Sequence, residues 1–393
     1  MSPEAQHAAS PYPGASQPSL PARARGFWNR VSGGLNLYEL WNQLRADARS
    51  TYRLYASELD SRRRAGETKP KHFLAMGRRF FWAIMDKLTP ARRVLLLVAL
   101  VLLFIPESWV VDRPENQWKV DFETRQAGGL LLFCVLLLEL TDRVVMKRDL
   151  QIAKEIQAWL LPARPPQVPG LEIAFATRPA NTVAGDYYDV FPRRAPGLDA
   201  APATFIIAVA DVAGKSVPAA MLMATIQASL HTLSATPGSL PELAARMNHY
   251  ACTNSQSGRR FTTAFLAEYD PASRALTFVN AGHNPPFLRR RSGATEALES
   301  GGLPLGVMED AAYQRGAVTL AAGDLLAIFT DGVVEAENSL GQEYSEARLR
   351  TVLEANATAT PGILLSTILF DINRFVGSAP QHDDVTLMLL KAA

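Results

Sequence analysis

Carboxylates recur beside apolar stretches through the C-terminal half of the chain, in Gly185-Asp186-Tyr187-Tyr188-Asp189, Ala210-Asp211-Val212-Ala213-Gly214-Lys215, Thr330-Asp331-Gly332 and His382-Asp383-Asp384-Val385-Thr386. A histidine stands in a similar setting in Asn280-Ala281-Gly282-His283-Asn284. Aspartates far apart in sequence, each at a strand end, can converge on one edge of a sheet and offer hard oxygen ligands to divalent cations. The Asp211 stretch is the sharpest. An apolar strand ends in the carboxylate, Ala213-Gly214 turns the chain and Pro218 opens a helix, so the side chain and a neighbouring backbone carbonyl can face one cation. Taken singly, each stretch has a plainer reading. A strand-end Asp caps a turn, Asp331-Gly332 is a turn, and Asp383 and Asp384 are solvated acids. Asp186 and Asp189 bracket two packed tyrosines, and His283 is structural. Only the joint occurrence departs from chance.

The elements that must position these residues can be read from periodicity. Thr204–Ala210 is almost wholly apolar, as suits a strand covered on both faces. Residues 261–269, 275–280, 286–290, 325–330 and 385–390 read as further strands. Residues 218–232, 240–252, 346–354 and 362–375 read as helices, with Pro218 and Pro241 in first-turn positions. The turns joining 261–269, 275–280 and 286–290 are too short for crossover helices, so these strands are expected to be antiparallel. Antiparallel sheets with helices outside them make an α+β sandwich of αββα order.

A formal net charge of +2 over 393 residues gives no electrostatic support to nucleic-acid binding. Of the two cysteines, Cys134 lies in an apolar run and Cys252 in a helix, so no disulfide framework is expected. Residues 1–26 are rich in Ser, Pro, Ala and Gln and read as a disordered tail. Residues 27–92 interleave basic and aromatic side chains in a helical region, near a membrane surface or simply solvated on the basic face. Two apolar runs follow, Val94–Val111 and Ala127–Leu140, flanked on their outer ends by bases. That pattern predicts a two-span hairpin over residues 93–141 with both ends inside. Their shortness leaves a buried or interfacial hairpin as the alternative, since eighteen residues reach only about 27 Å. Residues 142–164 read as a linker helix stopped by Pro162, a coupling and dimerising element or a helix packed on its own domain.

The chain from about Leu150 to Lys391, and with it the whole C-terminal domain taken as 165–393, resembles the bacterial PPM-type (PP2C-like) serine/threonine phosphatases of the sigma-factor-regulator class. The resemblance rests on Ala184-Gly185-Asp186-Tyr187-Tyr188-Asp189, Asp211-Val212-Ala213-Gly214-Lys215-Ser216-Val217-Pro218-Ala219-Ala220, Val279-Asn280-Ala281-Gly282-His283-Asn284-Pro285-Pro286, Leu303-Pro304-Leu305-Gly306, Phe329-Thr330-Asp331-Gly332-Val333-Val334-Glu335-Ala336 and Asp383-Asp384-Val385-Thr386. Ala184, Ala210, Ala213 and Ser216 depart from the family pattern at positions of turn geometry, not of side-chain ligation. The resemblance implies two Mn²⁺ or Mg²⁺ ions at one sheet edge. Asp186 and Asp211 would hold the bridging pair with the Val212 carbonyl, and Asp331 and Asp383 would complete the second ion's shell. Asp384 and Asp189 are further candidates.

Together, this resemblance and the apolar runs point to a membrane-tethered, metal-dependent phosphatase acting on phosphoserine or phosphothreonine. Its domain would lie in the cytoplasm at the inner membrane, paired with a second copy through the linker helix. Its protein substrate would be a phosphorylated anti-sigma-factor antagonist. The competing readings are a catalytically silent partner-binding module of the same fold and a membrane-anchored small-molecule phosphoesterase. No arginine for the substrate phosphate stands out in the sequence.

Overall fold

The computed structural model describes residues 81–82, 85–104, 109–111, 120–122, 124–193, 204–214, 216–254, 260–299 and 301–393. The expected tail over 1–26 and most of the basic, aromatic region lie outside them. The chain divides into two compact units, Met1–Leu140 and Thr141–Ala393.

In the first unit, helix α1 (Pro90–Phe104) and the start of helix α2 (Thr124–Leu160) form an antiparallel hairpin, with a small ladder between β1 (Trp109–Val111) and β2 (Val120–Phe122). The helices approach closely at Gly128, where a Cβ would meet the Ala99 carbonyl at 2.9 Å. Arg92 Nη1 meets Glu139 Oε2 at 3.3 Å. Leu97, Val101, Phe104, Leu130, Phe133 and Leu136 are exposed. No helix among the described residues is long and apolar enough to cross a membrane. The expected first span breaks after Phe104, because Trp109–Val111 is strand, and its 15 residues reach only about 22 Å. The second apolar run gives way to Glu139, Asp142 and Arg143 within one continuous helix.

In the second unit, one five-stranded antiparallel sheet has the order β10-β7-β6-β5-β4, from Gly316–Thr319, Ala275–Ala281, Thr262–Asp270, Thr204–Val212 and Tyr187–Arg193. The other has the order β3-β12-β11-β8-β9, from Leu171–Arg178, Val385–Ala392, Leu325–Phe329, Phe287–Arg289 and Thr295–Ala297. Alternation along β5 shows how the layers arise. Phe205, Ile207 and Val209 pack against Leu288, Ile328 and Met388 of the opposite sheet. Ile206, Ala208 and Ala210 pack under α3 (Val217–Ser234) and α4 (Leu240–Asn254). The second sheet is covered in turn by α6 (Glu346–Ala355) and α7 (Pro361–Val376), with a short α5 (Asp331–Val334) at its rim. The order is αββα, two antiparallel sheets inside helices.

One strand expectation needs correction. Residues 286–290 do not continue the sheet of 275–280, because β8 crosses to the opposite sheet and pairs with β11 and β9. The Ala281–Pro286 segment turns at Gly282, whose φ is +69°, and its two prolines deny a tight hairpin.

Candidate functional site

Both sheets end in carboxylates at one rim. Asp186 immediately precedes β4 and Asp211 lies near the end of β5. Asp331 follows β11 as the first residue of α5, and Asp383 precedes β12. Counting inward positions of β4 and β5 (Tyr188, Val190; Val209, Phe205) puts Asp186 and Asp211 on the parity that faces the other sheet. The charges meet there. Burial, then the nearby Asp211 charge, holds the Asp186 carboxyl well above the usual range. Burial, followed by Asp331, Asp383 and Asp384, pushes Asp211 up to about 7. No three described Asp, Glu, His or Cys side chains stand as a ready-made metal-ligating group. The rim concentrates carboxylate charge on hard oxygen donors, and that chemistry fits Mg²⁺ or Mn²⁺.

The backbone around this rim is tightly specified. The Val212 carbonyl faces Gly185, where a Cβ would stand 3.2 Å from it. Asp384 does not extend the cluster as a free acid. Its Oδ1 accepts from the Ala180 N–H at 2.7 Å and its Oδ2 from the Gly185 N–H at 2.6 Å, so it fastens the segment carrying Asp186. A Cβ on Gly332 would collide with the Asp384 carbonyl. Asp189 is not part of the rim. It lies one residue off the inward parity, so its carboxylate points to the helical layer, accepting from Tyr187 Oη at 2.9 Å and lying 2.7 Å from His231 Nε2. His283 is buried between the sheets with Nδ1 3.1 Å from Thr263 Oγ1, and burial pushes its pKa down to about 4.

Three polar residues that periodicity did not single out support Asp186. Thr330 Oγ1 donates to Asp186 Oδ2 at 3.0 Å, and Thr386 also bonds its carboxylate. Gln157 exchanges two hydrogen bonds with the Ala184 backbone. The Thr–Asp and Asp–Asp–Val–Thr stretches carried a signal for the threonines, whereas a lone glutamine on a charged helix carried none. Arg260 lies beside the Asp211 loop, its Nη1 3.5 Å from where a Cβ on Gly214 would be.

Residues 201–393 match the family described as Stage II sporulation protein E (SpoIIE). The C-terminal domain is similar to the SpoIIE/PP2C-type phosphatases. Phosphoserine phosphatase RsbU of Bacillus subtilis (strain 168) is 29% identical over 247 residues, covering 63% of this chain and 70% of the relative. Phosphoserine phosphatase RsbP of the same organism is 27% identical over 199 residues, 48% of this chain and 46% of the relative. The SiaA-PP2C domain of Pseudomonas aeruginosa superposes with a TM-score of 0.55 at 20% identity, covering 64% of this chain and 99% of that one, a likeness of fold. The family match covers β5 to β12 of the second unit, and the chain spans less than half of RsbP's length.

Proposed function

We propose that this SpoIIE/PP2C-type domain is a metal-dependent phosphatase acting on phosphoserine or phosphothreonine in a protein. The observation that carries the reading is the gathering of Asp186, Asp211, Asp331 and Asp383 from both sheets at one rim, with ionisation suppressed at the two that burial holds most firmly. Asp186 and Asp211, with the Val212 carbonyl, would hold a bridging pair of Mn²⁺ or Mg²⁺ ions, and Asp331 and Asp383 would complete the second ion's shell. Two such ions, when bound, supply an acidified water and charge neutralisation for in-line displacement at phosphorus. The chain's own residues fix the geometry. Thr330 and Thr386 orient Asp186, and Asp384 holds the segment before it. Arg260 offers a cation beside the Asp211 loop for a phosphate oxygen.

The substrate we favour is a phosphorylated anti-sigma-factor antagonist, a reading supported by likeness to sigma-factor-regulator phosphatases. Pairing of two copies through α2 is supported by Val144, Val145, Ile152, Ile156 and Trp159, all exposed on it. Attachment of residues 90–140 to the inner membrane face, with the catalytic domain in the cytoplasm, is supported by the exposed apolar side chains of the α1–α2 hairpin. Extraction of a membrane fraction tests it. Release by high salt alone rejects burial in the bilayer, and release only by detergent supports it.

The function itself is tested by hydrolysis with the full-length protein, phosphopeptide and a generic phosphoester side by side, with Mn²⁺ and after chelation. Mn²⁺-dependent turnover favouring the phosphopeptide is expected. Preference for the simple ester would indicate a small-molecule phosphoesterase, and no turnover of either would indicate a silent binding module.

A further inference from the structure

From Thr141 to Leu160, α2 keeps its side chains mostly in solvent. Ile152, Ile156 and Trp159 are 46%, 48% and 80% exposed. Gln157, a polar residue, is the buried one, at 7%. A helix that docked for hydrophobic reasons would bury its isoleucines and tryptophan and leave the amide in water. The Gln157 amide goes in because it has specific partners. Its Nε2 donates to the Ala184 carbonyl at 2.7 Å, and its Oε1 accepts from the Ala184 N–H at 3.0 Å.

Ala184 belongs to no strand and lies two residues before Asp186. Its backbone groups have no sheet partner, so the glutamine supplies what a neighbouring strand would. The bonds on either side complete the restraint. Asp384 takes the N–H groups of Ala180 and Gly185, and Thr330 takes Asp186 itself. With the Gln157 pair removed, two buried backbone groups lose their partners and the segment is held only at its margins.

We infer that Gln157 is a positioning residue of the active site, through which the last turn of the linker helix sets the backbone from which Asp186 reaches its metal. The inference rests on the metal-dependent phosphatase reading of the rim. Groups that orient a metal ligand, without touching the metal, typically change metal affinity or activity 10- to 100-fold when removed. Gln157→Leu keeps the side chain's bulk and deletes both bonds. It is expected to raise the Mn²⁺ concentration for half-maximal binding roughly 10- to 100-fold, read directly by Mn²⁺ paramagnetic resonance and again as the Mn²⁺ dependence of hydrolysis. Turnover should recover at saturating Mn²⁺, with the KM for phosphopeptide little changed. Gln157→Glu retains the acceptor for the Ala184 N–H and regains a donor when protonated, so it should bind Mn²⁺ more tightly at pH 5.5 relative to Gln157→Leu than at pH 8. Lys154→Ala, three residues away and exposed, should leave Mn²⁺ binding as in the parent.

A Gln157→Leu protein that melts earlier but binds Mn²⁺ as the parent does would overturn the inference, leaving Gln157 as a structural tie. The phosphatase reading would survive that result. A parent protein that neither binds Mn²⁺ nor hydrolyses phosphopeptide would overturn both.

Discussion

Asp211→Asn should make the metal-free protein more stable while destroying its catalysis. The Asp211 carboxyl ionises near 7 in the fold against 3.8 ordinarily. At about 1.4 kcal/mol for each tenfold change, ionising it in the empty site costs the folded state on the order of 4 kcal/mol. Asp211 is only partly buried, so screening makes that a ceiling, and about 2–4 kcal/mol is the working range. The sign is opposite to that of a salt-bridged aspartate. Below pH 3.8 the group is protonated whether the chain is folded or not. Between 3.8 and 7 the folded state holds more protons, so stability falls as pH rises, and above 7 the full penalty applies. Asparagine is neutral throughout and removes it. For a domain of this size the gain at pH 8 corresponds to roughly 5–15 °C in melting temperature. It should vanish near pH 4. Added Mn²⁺ should reverse the ranking, because cations stabilise the parent by mass action and find one ligand fewer in the variant. The assay is thermal unfolding of chelator-treated protein at pH 4 and pH 8, then with Mn²⁺. If the metal-free Asp211→Asn protein melts below the parent at pH 8, or if its gain is the same at both pH values, Asp211 does not stand in uncompensated negative charge.

Asn at Asp331 or Asp383 should each lower Mn²⁺-dependent turnover about 100-fold or more. Asn at Asp270, whose carboxylate accepts from the Ala272 N–H and Ser273 Oγ in an exposed turn, should change turnover by less than about 2-fold. Steady-state kinetics on all three decides whether rim position or mere strand-end position matters. Arg260→Ala should raise the KM for phosphopeptide and the inhibition constant of inorganic phosphate by roughly 10-fold, as loss of a charge-assisted hydrogen bond would. Mn²⁺ binding should be unchanged, and titration of both ligands reads the difference. Ser216 has φ +66°, a backbone setting glycine tolerates better, so Ser216→Gly should stabilise the protein by about 1 kcal/mol in chemical denaturation.

Much of the fold was legible because its signals are local. The apolar run Thr204–Ala210 became a strand buried on both faces, and the expected helix 362–375 was observed as Pro361–Val376. The rim carboxylates were legible from their places beside those runs. What escaped was non-local. Residues 187–193, to which periodicity assigned no strand, form β4, because pairing with β5 outweighs local preference. That strand then turns Asp189 away from the rim. The crossing of β8 to the other sheet depends on what Leu325–Phe329 offers as a partner, and Gln157 on where Ala184 comes to rest. Neither can be read from a residue's own neighbours. The apolar runs marked a helical hairpin, but not that its first helix ends at Phe104 or that the second runs on through Glu139, Asp142 and Arg143.

The rim draws Asp186 and Asp211 from one sheet and Asp331 and Asp383 from the other, so it spans a seam. The width of that seam is set by the filling between the sheets, by side chains such as Val209, Phe265, Ile328 and Met388. Interiors are close-packed and transmit small changes of volume as shifts of whole layers. The spacing of the two carboxylate pairs is therefore an outcome of interior bulk. Ions bridging the pairs would act as a clasp, fastening the open edge of the sandwich. Metal preference in such a protein can then be tuned by a methyl group buried well away from the rim, with every ligand left in place.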